Sequence, residues 1–257
     1  MVLSALDHVP EIAGNDGQLA IFLDYDGTLT PIVGRPEEAM LSDSTREALK
    51  ILADHTPVAI LSGRDLEDIR RRINVDGITY AGSHGFDIAG PRGLRKQVGP
   101  EFLPVLDAAE KEVREKLAGI GGALVERKRF AIATHYRQVT GEGIPRVEQA
   151  VNEVAAHHRE LRKISGKKVY ELQPNIGWDK GKALLWLLNL MSSGAQAISP
   201  VYIGDDLTDE YAFRVLQQRA VGIIVTEELR PTAARYVLKN PAEVERLLRE
   251  FVAYLVQ

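Results

Sequence analysis

The chain contains no cysteine among its 257 residues, which excludes disulfides, thiolate metal sites and a cysteine nucleophile and is compatible with a reducing compartment. No apolar run approaches the roughly 18–20 residues of a membrane-spanning helix, and the residues up to Gly17 lack the basic-then-apolar pattern of a secretory leader. A cytoplasmic, non-membrane protein is expected. Positive charge is not in excess either: 32 Lys and Arg against 36 Asp and Glu leave a net charge of −4, so no broad attraction to nucleic acid or an anionic membrane follows. There is no internal repeat and no low-complexity linker. What remains, 45% hydrophobic and 26% charged residues, is ordinary for a globular protein with ample material for a core. The length admits one large domain or a core plus an insertion.

The informative stretch is Leu19-Ala20-Ile21-Phe22-Leu23-Asp24-Tyr25-Asp26-Gly27-Thr28. Five consecutive apolar residues read as a strand covered on both faces, because a half-exposed strand alternates with polar residues. Asp24 and Asp26 follow at its carboxyl end, where open α/β sheets place their ligands.

The same rhythm continues. Ser42 to Ser44 offer N-caps for a helix from Thr45 to His55. Val58 to Leu61 is a second buried strand delivering Ser62-Gly63-Arg64, and Asp65 caps a helix with Leu66, Ile69 and Ile73 inward. Ile78 to Ala81 is a third strand, ahead of Gly82-Ser83-His84-Gly85. Strands and helices alternating at short intervals predict a parallel, Rossmann-like sheet. From Phe86 the pattern changes. A turn at Gly90-Pro91-Arg92-Gly93 predicts a hairpin, followed by a helix near 102–117, strands at 123–126 and 130–136, a helix at 145–158 and a strand at 168–172. An α+β domain inserted over 86–173 is therefore expected, with the core formed by 1–85 and 174–257. The core rhythm resumes with a helix from Lys180 to Met191 and a strand Val201 to Ile203 ending in Gly204-Asp205-Asp206. A helix at 208–216, a strand at 220–225 and a terminal helix at 241–255 complete it.

Three strands thus end in Asp24 and Asp26, in Ser62, and in Asp205 and Asp206. A parallel sheet gathers such ends. Carboxylates around one point repel, and a hard divalent cation relieves the repulsion; with only oxygen donors, Mg²⁺ is the expected ion. Lys180 adds a positive charge at a helix start.

At these residues the chain resembles the haloacid dehalogenase superfamily of phosphatases, through Asp24-Tyr25-Asp26-Gly27-Thr28-Leu29, Ser62, Lys180 and Gly204-Asp205-Asp206. The resemblance implies that Asp24 attacks phosphorus to form an aspartyl-phosphate, and that Asp26 protonates the leaving oxygen and later deprotonates water. It implies that Ser62 and Lys180 hold the phosphoryl group, and that the Asp24 carboxylate, the Asp26 carbonyl and Asp205 form the Mg²⁺ site. Asp206 and Asp209 would orient the Lys180 ammonium or metal-bound water.

A narrower resemblance, to trehalose-6-phosphate phosphatases, rests on motifs that include Leu61-Ser62-Gly63-Arg64, Gly82-Ser83-His84-Gly85, Glu126-Arg127-Lys128, His135-Tyr136-Arg137, Tyr170-Glu171-Leu172 and Trp178-Asp179-Lys180-Gly181. It implies a cap over the core, trehalose 6-phosphate as substrate, sugar contacts from Glu126, Lys128 and Glu171, and Arg64 and His84 as further substrate-binding residues near the core–cap junction. The alternative reading of Arg64 and His84 is that they tie loops together. Glu126 and Lys128, two apart on one strand, share a face suited to a sugar or to a cross-strand ion pair. His135 to Arg137 read as structural, and His157 and His158 as solvated. Asp87 and Gln173 depart from the family pattern, where glutamate and arginine are expected. Functional pairing with a trehalose-6-phosphate synthase follows from the same resemblance, and with no second catalytic segment in the sequence a free-standing enzyme is expected. Sucrose 6-phosphate and mannosyl-3-phosphoglycerate phosphatases, a phosphomutase, and a non-catalytic sugar-phosphate-binding regulator share enough of these features to stand as alternatives.

Overall fold

The structure, a computed structural model, describes residues 2–14, 17–192, 197–217, 220–228 and 230–256. These fall into two compact units, the first formed by 1–96 and 178–257 and the second by 97–177.

The first unit begins with β1 (Leu3–Ser4), α1 (Val9–Ala13), β2 (Gln18–Leu23), α2 (Asp43–His55), β3 (Val58–Leu61), α3 (Leu66–Ile73), β4 (Thr79–Gly82), β5 (Asp87–Ala89) and β6 (Arg95–Gln97), whose last residue opens the second unit. The second unit holds α4 (Leu103–Leu117), β7 (Leu124–Lys128), β8 (Ala131–His135), α5 (Gly143–His157), β9 (Leu161–Gly166) and β10 (Val169–Pro174). The chain then completes the first unit with α6 (Lys180–Met191), β11 (Ile198–Gly204), α7 (Asp209–Leu216), β12 (Val221–Val225), β13 (Tyr236–Leu238) and α8 (Pro241–Leu255).

Among the described residues, nine strands form one sheet in the order β1-β13-β12-β11-β2-β3-β4-β5-β6. From β1 to β4 the pairing is parallel. The apolar runs are explained by what covers the sheet. On one face Leu19, Ile21, Leu23, Ile60, Val201 and Ile203 pack with Leu49 and Leu52 of α2, Ile69 and Ile73 of α3, and Leu247 and Phe251 of α8. On the other, Ala20, Phe22, Ala59, Leu61 and Tyr202 pack with Leu184 and Leu187 of α6 and Phe213 and Leu216 of α7. Successive residues of each strand enter opposite cores, so no polar alternation is tolerated. Asp179 caps α6 by accepting from the Lys182 N–H at 2.9 Å, and Asn240 caps α8 through the Glu243 N–H at 3.2 Å; each satisfies a donor that the first helical turn leaves open.

The hairpin assigned to the insertion belongs to this sheet instead. β5 pairs antiparallel with β4, Ala81 facing Ile88 and Gly82 facing Asp87, and Ile88 is fully buried in the core shared with α6 and α7. A turn-rich hairpin after parallel strands looks like the start of an α+β unit, but its buried isoleucine completes the core face. The units divide at 96/97 and 177/178, not at 85/86 and 173/174.

In the second unit an antiparallel sheet, ordered β7-β8-β10-β9, carries α4 and α5 on one face. Leu106, Val113, Val147, Val151 and Val154 from the helices meet Val125, Ile132, Tyr170 and Leu172 from the strands. The opposite face carries Glu126, Lys128, Glu171 and Gln173. No helix among the described residues is long and apolar enough to cross a membrane.

Leu184 is fully buried between α6 and the sheet. Leu184→Ala is expected to destabilise the protein by about 2–5 kcal/mol, read as a shift in urea midpoint at constant slope; a loss below about 1 kcal/mol would contradict this packing.

Candidate active site

Register explains why residues remote in sequence meet. Leu23 of β2 is level with Ile203 of β11 on one side and Ile60 of β3 on the other, and the Asp24 N–H continues the ladder to the Ile203 carbonyl at 2.9 Å. Asp24, Ser62 and Asp205 therefore leave the sheet at one end.

Glycine lets the loops close. Gly27 has φ +86°, and a Cβ there would lie 2.1 Å from Asp205 Oδ2, so the turn after Asp26 rests directly on the Asp205 carboxylate. At Gly204 a Cβ would come within 2.4 Å of Asp209 Cγ.

Lys180 lies at the start of α6 and is almost fully buried. Its Nζ donates to Asp24 Oδ1 at 2.7 Å and to Asp209 Oδ1 at 2.8 Å. Asp209 also accepts from the Tyr202 hydroxyl at 2.6 Å and, through Oδ2, from the Asp205 and Asp206 N–H groups at 2.9 Å. Four donors saturate that carboxylate, which makes Asp209 the anchor of Lys180. Lys180, Tyr202 and the two backbone N–H groups take up the four acceptor positions of that carboxylate. Asp206 turns elsewhere, its Oδ1 accepting from the Leu207 N–H at 2.7 Å. Tyr202 was not foreseen. The available signal was a hydroxyl in the middle of a fully buried strand, which requires a partner.

The titration of these groups follows from their surroundings. Burial, together with the charges of Asp209 and Asp205, pushes the Asp24 carboxyl well up despite the opposing Lys180. Burial opposes charge on Asp209 as well, but Lys180 and Tyr202 outweigh it and hold its carboxyl low. Burial works against the Lys180 ammonium, and Asp209 and Asp24 reverse this and raise it.

Carboxylate oxygens of Asp24, Asp205 and Asp209 lie within 4.8 Å of one another, and all three residues are buried. Three carboxylates face one ammonium, a surplus of negative charge on hard oxygen donors that fits a divalent cation. Because Asp209 is saturated, Asp24 and Asp205 are the side chains suited to hold it. The Asp26 side chain is not part of this group.

Around Ser62 the turn is equally constrained. Ser62 Oγ accepts from the Arg64 N–H at 3.1 Å. Beside it, Ser83, His84 and Gly85 take φ values of 47°, 57° and 89°, a left-handed turn that costs about 1–2 kcal/mol for each non-glycine residue. The turn directs the His84 N–H to the Ser62 carbonyl at 2.8 Å and sets the ring where a Cβ on Gly63 would approach it to 2.9 Å. Arg64, expected near the sugar, is turned to Asp26, Asp68 and the Pro36 carbonyl. Four of its N–H donors are engaged within the first unit, so its contacts are those of a tie. Asp65 occupies the N-cap position of α3 without capping it; its carboxylate accepts from Ser83 Oγ at 3.2 Å.

The polar face of the second unit gathers the other candidates. Ala133 of β8 stands opposite Glu126 on one side and Glu171 on the other, and Ala131 stands opposite Lys128. Two alanines thus floor a patch edged by the three charged side chains. Lys128 donates to Glu171, and Gln173 donates to Glu171 Oε2 at 2.9 Å. His135, read as structural, pairs with Glu126 Oε2 at 2.8 Å. Burial raises the Glu126 carboxyl, but His135 and Lys128 outweigh that and hold it low. The two departures from the family pattern separate. Gln173 belongs to this patch, whereas Asp87 lies in the nine-stranded sheet and pairs with Arg95 at 3.0 Å.

Two outcomes are expected. Gly27→Ala, strained at positive φ and driven into Asp205, is expected to lower turnover about a hundredfold or more while the protein stays folded by circular dichroism; turnover near wild type would contradict the Gly27–Asp205 contact. Burial raises the Asp68 carboxyl, but hydrogen bonds from Arg72 and Arg64 outweigh it and depress the folded value. A depressed carboxyl stabilises above its unfolded value and loses that contribution as pH falls through the folded one. Asp68→Asn is therefore expected to cost about 1–3 kcal/mol at pH 7 and progressively less below about pH 4. Equal losses in denaturant titrations at both pH values would refute this.

Comparisons with known proteins cover the same stretches of the chain. The profile of the trehalose-phosphatase family matches residues 22–242. A probable trehalose-phosphate phosphatase D of Arabidopsis thaliana is 41% identical over 98% of this chain, and the trehalose-phosphate phosphatase of Mycobacterium bovis is 43% identical over 91%. The chain spans 72% of the length of the first and 62% of the second. A crystal structure of a trehalose-6-phosphate phosphatase related protein superposes with a TM-score of 0.81 at 27% identity, covering 93% of this chain and 99% of the other. The profile runs from within β2 to the start of α8 and takes in both units, so the chain belongs to the trehalose-phosphatase family.

Proposed function

We propose that this chain is a Mg²⁺-dependent phosphatase that hydrolyses trehalose 6-phosphate to trehalose and inorganic phosphate through an aspartyl-phosphate on Asp24. The observation that carries this reading is the buried Lys180 holding Asp24 at the tip of β2, with Asp205 pressed against Gly27 beside it. Family membership supports the substrate.

In the first half-reaction an Asp24 oxygen attacks phosphorus in line, the bond from phosphorus to the sugar oxygen breaks, and Asp26 delivers a proton to that oxygen so that trehalose leaves neutral. In the second, water attacks the aspartyl-phosphate, Asp26 takes its proton, and phosphate leaves with Asp24 restored. Lys180 and the Ser62 hydroxyl stabilise the charge on the transferring phosphoryl group. Ser62 Oγ already accepts the Arg64 N–H, which leaves its own proton free to point at a phosphoryl oxygen. Asp24 and Asp205, with the Asp26 carbonyl, would hold Mg²⁺, which when bound would supply positive charge to offset repulsion between Asp24 and the phosphate dianion.

Sugar discrimination is assigned to Glu126, Lys128 and Glu171. Carboxylate and ammonium groups bond neighbouring hydroxyls in pairs and reject a sugar that leaves a buried charge unmatched. Since the substrate is a phosphorylated disaccharide of glucose, an enzyme that makes it must act beforehand, and functional pairing with a trehalose-6-phosphate synthase in the cytoplasm belongs to the same reading.

Phosphate release from trehalose 6-phosphate, beside glucose 6-phosphate and sucrose 6-phosphate, with Mg²⁺ and with EDTA, tests the proposal. Strong preference for trehalose 6-phosphate and loss in EDTA are expected. Asp24→Asn is expected to abolish turnover, and Glu126→Ala to raise KM about tenfold with kcat little changed. Substantial turnover by Asp24→Asn would refute the nucleophile, and preference for another sugar would refute the substrate.

A further inference from the structure

Arg64 is 8% exposed, and four of its five N–H donors are engaged within the first unit. Nε donates to Asp26 Oδ2 at 2.7 Å and Nη2 to Asp26 Oδ1 at 2.7 Å, a fork closed on a fork. Nη2 also reaches the Pro36 carbonyl at 2.7 Å, and Nη1 reaches Asp68 Oδ2 at 2.9 Å. The guanidinium carbon stands 5.3 Å from the centre of the Tyr25 ring, and the Tyr25 hydroxyl is tied to the Ala39 carbonyl at 2.9 Å. Asp68 is in turn held by Arg71 and Arg72 at 2.7 and 2.8 Å. Arg64 is thus a fixed point, fastened to α3 and to the segment after Thr30.

Asp26 is its opposite. The side chain is 36% exposed, it leaves the sheet on a turn, and among the described residues the guanidinium provides the only hydrogen bonds to its carboxylate. Left alone, an aspartate so exposed samples several rotamers, and a proton-transferring group displaced by about 1 Å forfeits much of its effect. A bidentate pair fixes both side-chain torsions together, which a lysine, with one compact charge, does not. The fork takes one acceptor site on each carboxylate oxygen and leaves another on each for the reacting proton.

Taking Asp26 as the group that gives and takes the proton in the proposed reaction, we propose that Arg64 is the positioning residue that sets the Asp26 carboxylate for proton transfer, and is not a sugar contact. The placement of Arg64 two residues after Ser62 gives the turn a double task. Its backbone N–H orients the Ser62 hydroxyl while its side chain orients Asp26, so the phosphoryl-holding donor and the acid–base group are set by one short segment. Gly63 between them keeps the segment compact under the His84 ring.

The test is a leaving-group series. Aryl phosphates of graded leaving-group basicity carry no sugar, so their kcat/KM senses proton delivery to the departing oxygen and not sugar recognition. Arg64→Lys and Arg64→Ala are compared with wild type and with Asp26→Asn. The expected result is a steeper dependence on leaving-group basicity in both Arg64 variants. Loss is roughly 10–100-fold for the most basic leaving group and under about 3-fold for p-nitrophenyl phosphate, following the trend of Asp26→Asn. Millimolar guanidinium added to Arg64→Ala is expected to restore part of the kcat on trehalose 6-phosphate without lowering KM. A uniform loss across the series with no rescue means that Arg64 merely braces the fold and overturns the proposal. An unchanged series with a raised KM for trehalose 6-phosphate makes Arg64 a sugar contact and overturns it equally. If Arg64→Ala does not fold, Arg64→Lys, which keeps charge and stem, decides the slope. A wild-type enzyme that hydrolyses aryl phosphates through Asp24 but ignores trehalose 6-phosphate refutes the substrate and leaves this test standing.

Discussion

The buried ammonium of Lys180, shared between Asp24 and Asp209, is the interaction on which the rest of the first unit depends. Taking charges out of water costs several kcal/mol per ion, and attraction between them offsets this only when the remaining donors and acceptors are matched. Here the matching is nearly complete. Asp209 receives Lys180, Tyr202 and two backbone N–H groups, and those contacts require a hydroxyl at Tyr202, close backbone approach at Gly204 and a loop folded back over α7. Asp24 is the less satisfied partner, its carboxyl pushed up by burial and by two neighbouring acids. The surplus of negative charge over the single Lys180 ammonium bears on the residue proposed to attack phosphorus, where a cation would relieve it.

The second unit uses a related solution for a different purpose. Its polar face buries Lys128, Glu171 and Gln173 around two alanines, and the charges satisfy one another through Lys128–Glu171, Gln173–Glu171 and His135–Glu126. Alanine in the middle of a sheet leaves room above the strands, and the long side chains edge that room. On the proposed reading, sugar hydroxyls exchange with bonds that already exist in the free protein, so discrimination arises from how well a sugar replaces them.

Much of this was legible before any coordinates. The limits of β3, α6 and α8 coincide with the sequence-based ones, because buried parallel strands are continuous apolar runs and these helices begin at recognisable signals. Three strands escaped. Leu161–Gly166 reads Leu-Arg-Lys-Ile-Ser-Gly, with no apolar run and little alternation, and is a strand because it pairs along β10. Leu3–Ser4 and Tyr236–Leu238 are too short to leave a period and exist by adding to one another and to the edge of a formed sheet. The hairpin after β4 was detected but given to the wrong unit, since its turn chemistry says nothing about which core Ile88 enters.

The sequence by itself determined which residues stand at strand ends, because the apolar runs and the acids that terminate them are local features within a few positions of one another. It also carried the family. What the tertiary structure decided is which of those residues touch. Arg64 clamps Asp26 across 38 positions and Lys180 bonds Asp209 across 29 and Asp24 across 156, contacts that depend on strand register and on how each turn is packed. Charge pairing is chosen by distance in space, and distance in space is set by the sheet and not by the motif.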